Sequence, residues 1–278
     1  AASHLTHSAF VAEQTLEYLK ARRGGEPFFC IGGFYFPHEP WIVPQEFLNL
    51  YDEDAMELFE FPEDLDRKRQ DDPRFNDATL RASRRGYYAA VSELDHQIGR
   101  ILDGLDELGL ADDTIVIYTS DHGEFLGEHL RYGKGYPAPD CVMRVPLIAR
   151  WPGQLGEPGQ TRHQLTEAVD LVPTLLSWAG VQVPPHVQGR PLPLTDDDPG
   201  KRAALLEFTG YKVLRLDSLR YIAHADGSET LIDLDRDRGE YHNVAGDPGY
   251  ADRLALCRHE LNRKLLEMER PLPRVWPY

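Results

Sequence analysis

Asp121 and His122 stand side by side directly behind the apolar, β-branched run Thr114-Ile115-Val116-Ile117-Tyr118-Thr119, and Gly123 and Glu124 follow them. A carboxylate oxygen and an imidazole nitrogen can share one cation. The run lies behind the turn-prone pair Asp112-Asp113 and reads as a strand buried on both faces, the kind found in parallel sheets. Ligands of open α/β sheets sit outside the carboxyl ends of the strands, so the pair arrives where a cation would be held. Lys134, between Gly133 and Gly135, adds a positive charge nearby. An isolated Asp-His pair at a strand end is often a turn with solvated side chains, and only its context can raise it above that reading.

The elements that must position these residues are legible from periodicity. Ala9, Ala12, Leu16 and Leu19 recur at spacings of three and four, an amphipathic helix that ends at Gly24-Gly25. Residues 28–34 read as a strand that delivers the loop Tyr35-Phe36-Pro37-His38-Glu39-Pro40-Trp41 at its end. Residues 53–77 are dense in acids, Arg and Lys and hold two prolines, which predicts a surface excursion with short helices. Tyr87, Val91, Leu94, Ile98, Ile101, Leu105 and Leu108 predict a long helix closed by Gly109. Feeding the Thr114 strand, that helix would make half of a right-handed βαβ unit. Residues 145–150 read as another core strand. Asp170 can cap a helix through Ala179, with Pro173 tolerated in the first turn and Gly180 ending it. The Pro- and Asp-rich residues 191–200 are the best boundary. Beyond them lie short strand-like pieces at 204–208, 211–214, 220–224 and 229–234. An amphipathic helix through Leu254, Cys257, Leu261, Leu265 and Met268 closes the chain.

The segments Ser120-Asp121-His122-Gly123-Glu124, Leu126-Gly127-Glu128-His129, Gly133-Lys134-Gly135, Arg144-Val145-Pro146-Leu147-Ile148 and Trp151-Pro152-Gly153 follow one another in an order that resembles the sulfatase family of the alkaline phosphatase superfamily. Pro27-Phe28-Phe29, Phe36-Pro37-His38-Glu39-Pro40, Tyr87-Tyr88-Ala89-Ala90-Val91, Val169-Asp170-Leu171-Val172-Pro173 and Gly189-Arg190-Pro191-Leu192 extend the resemblance over nearly the whole chain. It implies an α/β, alkaline-phosphatase-like sandwich with a mixed, mostly parallel core sheet between helices, plus a small C-terminal antiparallel sheet and helix. Residues 1–195 would be the C-terminal part of the core domain and 196–278 a small α+β subdomain. Asp121 and His122 would ligate a divalent metal, calcium first. Manganese or zinc are the alternatives, because imidazole is unusual in the all-oxygen shell of calcium. His38 would hydrogen-bond the ester and protonate its leaving oxygen, against the plainer reading of a loop histidine fixed between prolines. Lys134 would bind the sulfate and stabilise the charge spreading over its oxygens, against the reading of an ordinary exposed lysine. Glu124, Glu128 and His129 carry no assigned role, and Arg144 reads as structural. The Asp-His form of the metal motif also occurs in the related phosphonate and phosphodiester hydrolases, which keeps that activity open as the alternative.

Sulfatases carry a Cys or Ser in a Cys/Ser-x-Pro-x-Arg context, oxidised to the formylglycine nucleophile, together with a metal-binding Asp pair on the first strand. Cys30, Cys141 and Cys257 lack the Pro and Arg at those offsets, and so does every Ser. The resemblance therefore implies the C-terminal portion of a larger enzyme, inactive alone, with formylglycine on a missing N-terminal segment of the same enzyme. A non-catalytic remnant is the third reading. Three cysteines, odd in number and spread apart, suggest no disulfide framework. A formal charge of -16 disfavours nucleic acid or an anionic membrane as partner. An anionic sulfate ester must then be drawn in by local cations, while oligomerisation stays open. No run approaches the about 18 apolar residues that span a bilayer.

Overall fold

The computed structural model describes residues 2–193 and 198–269. Two compact units divide the chain, Ala1–Gly156 and Glu157–Tyr278. The boundary expected at 195/196 lies outside the described residues, and residues 157–193 cluster with the C-terminal unit.

In the first unit, helix α1 (His7–Lys20) starts where the Thr6 hydroxyl accepts from the Ala9 N–H. Short helices α2 (Gln45–Leu48) and α3 (Glu63–Gln70) follow, α3 falling in the expected charged excursion. Helix α4 (Asp77–Glu107) is capped by Asn76 and stopped by Gly109, which takes the left-handed conformation at φ 67°. Its buried face differs from the expected stripe. It runs through Leu80, Gly86, Ala89, Ala90, Glu93, Leu94, Gln97, Gly104 and Leu105, while Val91 is 39% exposed. Small residues let neighbouring segments come close: a Cβ at Gly104 would lie 2.2 Å from Leu16 Cδ2 of α1. Glu93, fully buried, accepts from the Thr6 hydroxyl at 2.6 Å and so fixes the start of α1 against α4. Val43 and Phe47 pack on Ala89 and Ala90.

Strand β1 (Val116–Thr119) leads into the site loop, and after helix α5 (Asp140–Met143) strand β2 (Leu147–Arg150) returns. The two pair antiparallel, Val116 opposite Arg150 and Thr119 opposite Leu147. The β1 strand was expected to be buried on both faces of a parallel sheet. It is half-buried instead, because among the described residues it has one neighbour, and that neighbour is antiparallel. Residues 28–34 pair with no strand among the described residues. Phe29 and Ile31 are 71% and 78% exposed there, and Ile148 of β2, expected in the core, is 61% exposed.

In the second unit, helix α6 (Leu171–Trp178) ends at Gly180, φ 68°. Asp170 is buried, but its side chain does not cap that helix. Its carboxylate accepts from the Glu167 and Arg190 N–H groups and pairs with Lys201. Strands β3 (Ala204–Phe208), β4 (Tyr211–Arg215), β5 (Leu219–His224) and β6 (Glu229–Asp233) form a four-stranded antiparallel sheet in sequence order, close to the expected spans. Helix α7 (Ala251–Met268) lays Leu254, Cys257 and Leu261 on Leu214, Leu219, Tyr221 and Leu231. Arg220 and Glu240, both almost fully buried, form an ion pair. Cys30, Cys141 and Cys257 form no disulfide with one another.

Candidate active site

The loop that leaves β1 passes so close to the segment around α5 that residue 123 must be glycine. A Cβ there would lie 2.0 Å from the Cys141 carbonyl oxygen. The approach is locked by the Gly123 N–H donating to Val142 O and the Glu124 N–H donating to Cys141 O. This fixes the backbone just past Asp121 and His122. The His122 N–H donates to Asp121 Oδ1 at 3.0 Å, and His122 Nδ1 lies 2.7 Å from the Gly123 carbonyl. A carbonyl only accepts, so Nδ1 carries the proton and Nε2 keeps its lone pair. Lys134 Nζ meets that lone pair at 2.7 Å, and Asp121 Oδ2 lies 3.6 Å from Nε2.

Lys134 is placed by a second turn of the same loop. Glu124 reaches across it and accepts from the Leu126 N–H and, at 2.6 Å, from the Gly133 N–H. Burial pushes the Glu124 carboxyl above the usual range, and these two backbone donors oppose the shift. Gly127, Gly133 and Gly135 at positive φ let the chain fold back here. Burial likewise raises the Glu128 carboxyl, against a hydrogen bond with Cys141. Glu124 and Glu128, which sequence reasoning left without a role, thus build the loop. Their signal was the glycine spacing around them rather than their own type.

His38 arrives from the other side. Its ring centroid lies 6.3 Å from that of His122 and 4.9 Å from that of Tyr35. His38 Nδ1 lies 2.8 Å from the Glu39 carbonyl, which also accepts from the Tyr35 hydroxyl at 2.8 Å. The imidazole is therefore oriented with Nε2 free for another partner. His38, Asp121, His122 and Lys134 converge on one face of the first unit. Asp121 is open to solvent, its side chain 84% exposed. Asp121 and His122 suit a divalent ion by donor type, one anionic oxygen and one neutral nitrogen. Two donors make only part of a shell. Among the described residues no group of three or more His, Cys, Asp or Glu side chains is placed to hold a metal.

Comparison with known proteins identifies the family. The sulfatase family model matches residues 4–181, and the model of the N-sulphoglucosamine sulphohydrolase C-terminal region matches residues 127–270. The chain belongs to the sulfatase family, within the alkaline phosphatase superfamily. It is 30% identical over 292 aligned positions to the multifunctional alkaline phosphatase superfamily protein PehA of Trinickia caryophylli, covering 88% of this chain and 56% of that protein. It is 36% identical over 220 positions to human iduronate 2-sulfatase, covering 63% of this chain and 40% of that one. Its fold matches the crystal structure of the phosphonate monoester hydrolase of Agrobacterium radiobacter with a TM-score of 0.85 at 26% identity, over 96% of this chain and 62% of that one. The chain thus spans about half the length of the curated relatives it matches.

Proposed function

We propose that this chain forms part of a metal-dependent sulfatase that hydrolyses sulfate esters, and that it supplies half the cation shell, the leaving-group acid and one positive clamp. The observation that carries the reading is the convergence of Lys134 Nζ, the His122 ring and the His38 ring beside an exposed Asp121 carboxylate. Asp121 and His122 Nε2 would hold the divalent metal, Lys134 Nζ turning from Nε2 to the sulfate, and the metal would polarise the sulfuryl oxygens and the nucleophile. Lys134, a compact point charge on a loop braced by Glu124, binds the sulfate and offsets the negative charge that grows on its oxygens during transfer. His38, protonated and held through Nδ1 by the Glu39 carbonyl, gives a proton from Nε2 to the departing alkoxide. The nucleophile is a formylglycine on an N-terminal segment of the same enzyme. That assignment is supported by the absence of a Cys/Ser-x-Pro-x-Arg run here and by the exposed apolar side chains of Phe29, Ile31 and Ile148, which suit a covering polypeptide. By this reading the 278 residues alone turn over no ester.

A second reading is favoured by comparisons that are not named sulfatases. PehA is called multifunctional, and the Agrobacterium neighbour is a phosphonate monoester hydrolase. On that reading the same clamp takes a phosphonate or phosphodiester. Paired kinetics on the intact enzyme decide between them: kcat/KM for p-nitrophenyl sulfate should exceed that for p-nitrophenyl phenylphosphonate. The reverse order assigns the enzyme to the second reading. In the same preparation Asp121→Ala should lose most of its metal by elemental analysis, since removing the anionic ligand leaves only neutral and cationic groups from this chain. Full metal content in that variant removes Asp121 from the shell.

A further inference from the structure

Next to the site, a cavity of ≈ 420 Å³ opens between the loop at 39–41, the N-terminal turns of α4 and Tyr132, lined by Glu39, Trp41, Thr79, Ser83 and Tyr132 among others. A second cavity of ≈ 570 Å³ shares Trp41, Thr79 and Ser83 with it and continues towards Leu48 and Glu53. Glu39 directly follows His38, and Tyr132 precedes Lys134 by two residues. The trough therefore starts from the backbone that carries the proposed acid and the proposed clamp.

Its aromatic walls are held in place before any ligand arrives. The Trp41 Nε1–H donates to the Pro37 carbonyl at 2.8 Å, and Gly86 of α4 packs so tightly beneath the indole that a Cβ would lie 3.1 Å from Trp41 Cβ. Tyr132 stacks on Phe75 with ring centroids 5.4 Å apart and planes 12° from parallel. Its hydroxyl lies 3.1 Å from Ser83 Oγ and donates to the Arg74 carbonyl at 3.0 Å. The two fixed rings, centroids 6.3 Å apart and planes 56° from each other, form an angled apolar corner at little cost in side-chain entropy.

The charges along the trough select further. Arg74 is engaged by Asp72 through two side-chain hydrogen bonds, and Glu53 pairs with Arg85 at 3.3 Å. Glu39 differs: its Oε2 is shielded from solvent and has no hydrogen-bond partner among the described residues. A buried acceptor without a donor is costly, and a ligand that brings an O–H removes the cost.

We propose that this trough receives the alcohol part of the ester, and that the alcohol is a neutral, hydroxylated ring that packs into the corner between Trp41 and Tyr132 and whose hydroxyl donates to Glu39. A bare aryl group would satisfy the rings and leave Glu39 unpaired. A second sulfate or a carboxylate on the ring would meet the Glu39 carboxylate with like charge, while Arg74, which lines the trough, is already engaged by Asp72. The placement beside His38 rests on the ester-hydrolase reading above, while the ring site itself does not.

The test is a titration of the intact enzyme's tryptophan fluorescence with free N-acetylglucosamine and, in parallel, glucuronic acid, together with kinetics on N-acetylglucosamine 6-sulfate and p-nitrophenyl sulfate. N-acetylglucosamine should bind with a fluorescence change that Trp41→Phe abolishes, and glucuronic acid should bind at least tenfold more weakly. Glu39→Gln should raise KM for the sugar sulfate about tenfold or more, the scale of a hydrogen bond to a charged group. The loss in kcat/KM should be at least about fivefold larger on the sugar sulfate than on p-nitrophenyl sulfate. Because the titration needs no turnover, an enzyme that cleaves only phosphonates would sink the sulfatase reading and leave the ring site standing. No Trp41-dependent binding of N-acetylglucosamine, preference for glucuronic acid, or an equal loss on both esters in Glu39→Gln would each overturn the proposal.

Discussion

At the scale of single residues, two side chains near one ester are given different tasks, and the tasks separate experimentally. In the proposed role His38 acts on the leaving oxygen, so His38→Ala should slow esters of poorly acidic alcohols far more than those of acidic phenols, by about 10²–10⁴-fold for the former. The proposed clamp Lys134 would act on the sulfuryl oxygens whatever the leaving group, so Lys134→Ala should slow all esters by similar factors. A plot of log kcat/KM against leaving-group pKa should steepen for the His38 variant and shift in parallel for the Lys134 variant. Parallel lines for both would reduce His38 to a binding residue. Glu124 belongs to this scale as a positioning residue, since its carboxylate fixes the Gly133 N–H one residue before Lys134.

At the scale of elements, the decisive contact is the passage of the 120–124 loop against the segment at 141–142. Gly123→Ala would drive a Cβ to 2.0 Å from a backbone oxygen, where no side-chain rotation can relieve the clash. The variant should unfold more easily by about 1–3 kcal/mol, the scale of overpacking, and His122 should shift with the loop. Gly33→Ala is the control, because nothing lies within 4 Å of a Cβ there. Urea denaturation that gives Gly123→Ala the same midpoint as Gly33→Ala would refute the assigned constraint.

At the scale of the whole molecule, a chain with a formal charge of -16 holds several carboxylates of its C-terminal unit against cations. Arg258 holds Glu229 down at about 2, and the Lys201 and Lys264 ammonium groups keep Glu167 below the usual range despite its burial. A carboxyl with a lowered folded pKa contributes stability that is fully present above the unfolded value. That stability drains as pH falls towards the folded value. The circular dichroism of the C-terminal sheet should therefore be lost on acidification between about pH 4.5 and about pH 2, and Glu229→Gln should flatten the loss in that window. A pH-independent midpoint in the wild type across that window would show that these pairs do not govern its stability. Cys257, buried under α7, has its thiol pushed up to about 11 by desolvation and takes no part in this range. No helix among the described residues is long and apolar enough to cross a membrane.

What the sequence determined by itself is local. The periods of α1, α4 and α7, the four C-terminal strands with their Gly and Asp turns, and the Asp121-His122 step at the end of β1 all follow from residues within one turn or hairpin of each other. Family membership was equally readable, because its motifs are short and ordered. Tertiary structure alone decided three things. The face that α4 buries was set by Gly86, Ala89, Ala90 and Gly104, whose small size matters only against the segments they meet, so counting large apolar residues chose Val91 wrongly. The antiparallel partner of β1 was set by a return 28 residues on, from Thr119 to Leu147, and strand pairing at that distance leaves no trace in either strand's own pattern. The rapprochement of His38, 84 positions before His122, to within 6.3 Å of its ring came from packing between loops. So did the unpaired oxygen of Glu39, because whether a carboxylate finds a donor depends on neighbours remote in sequence.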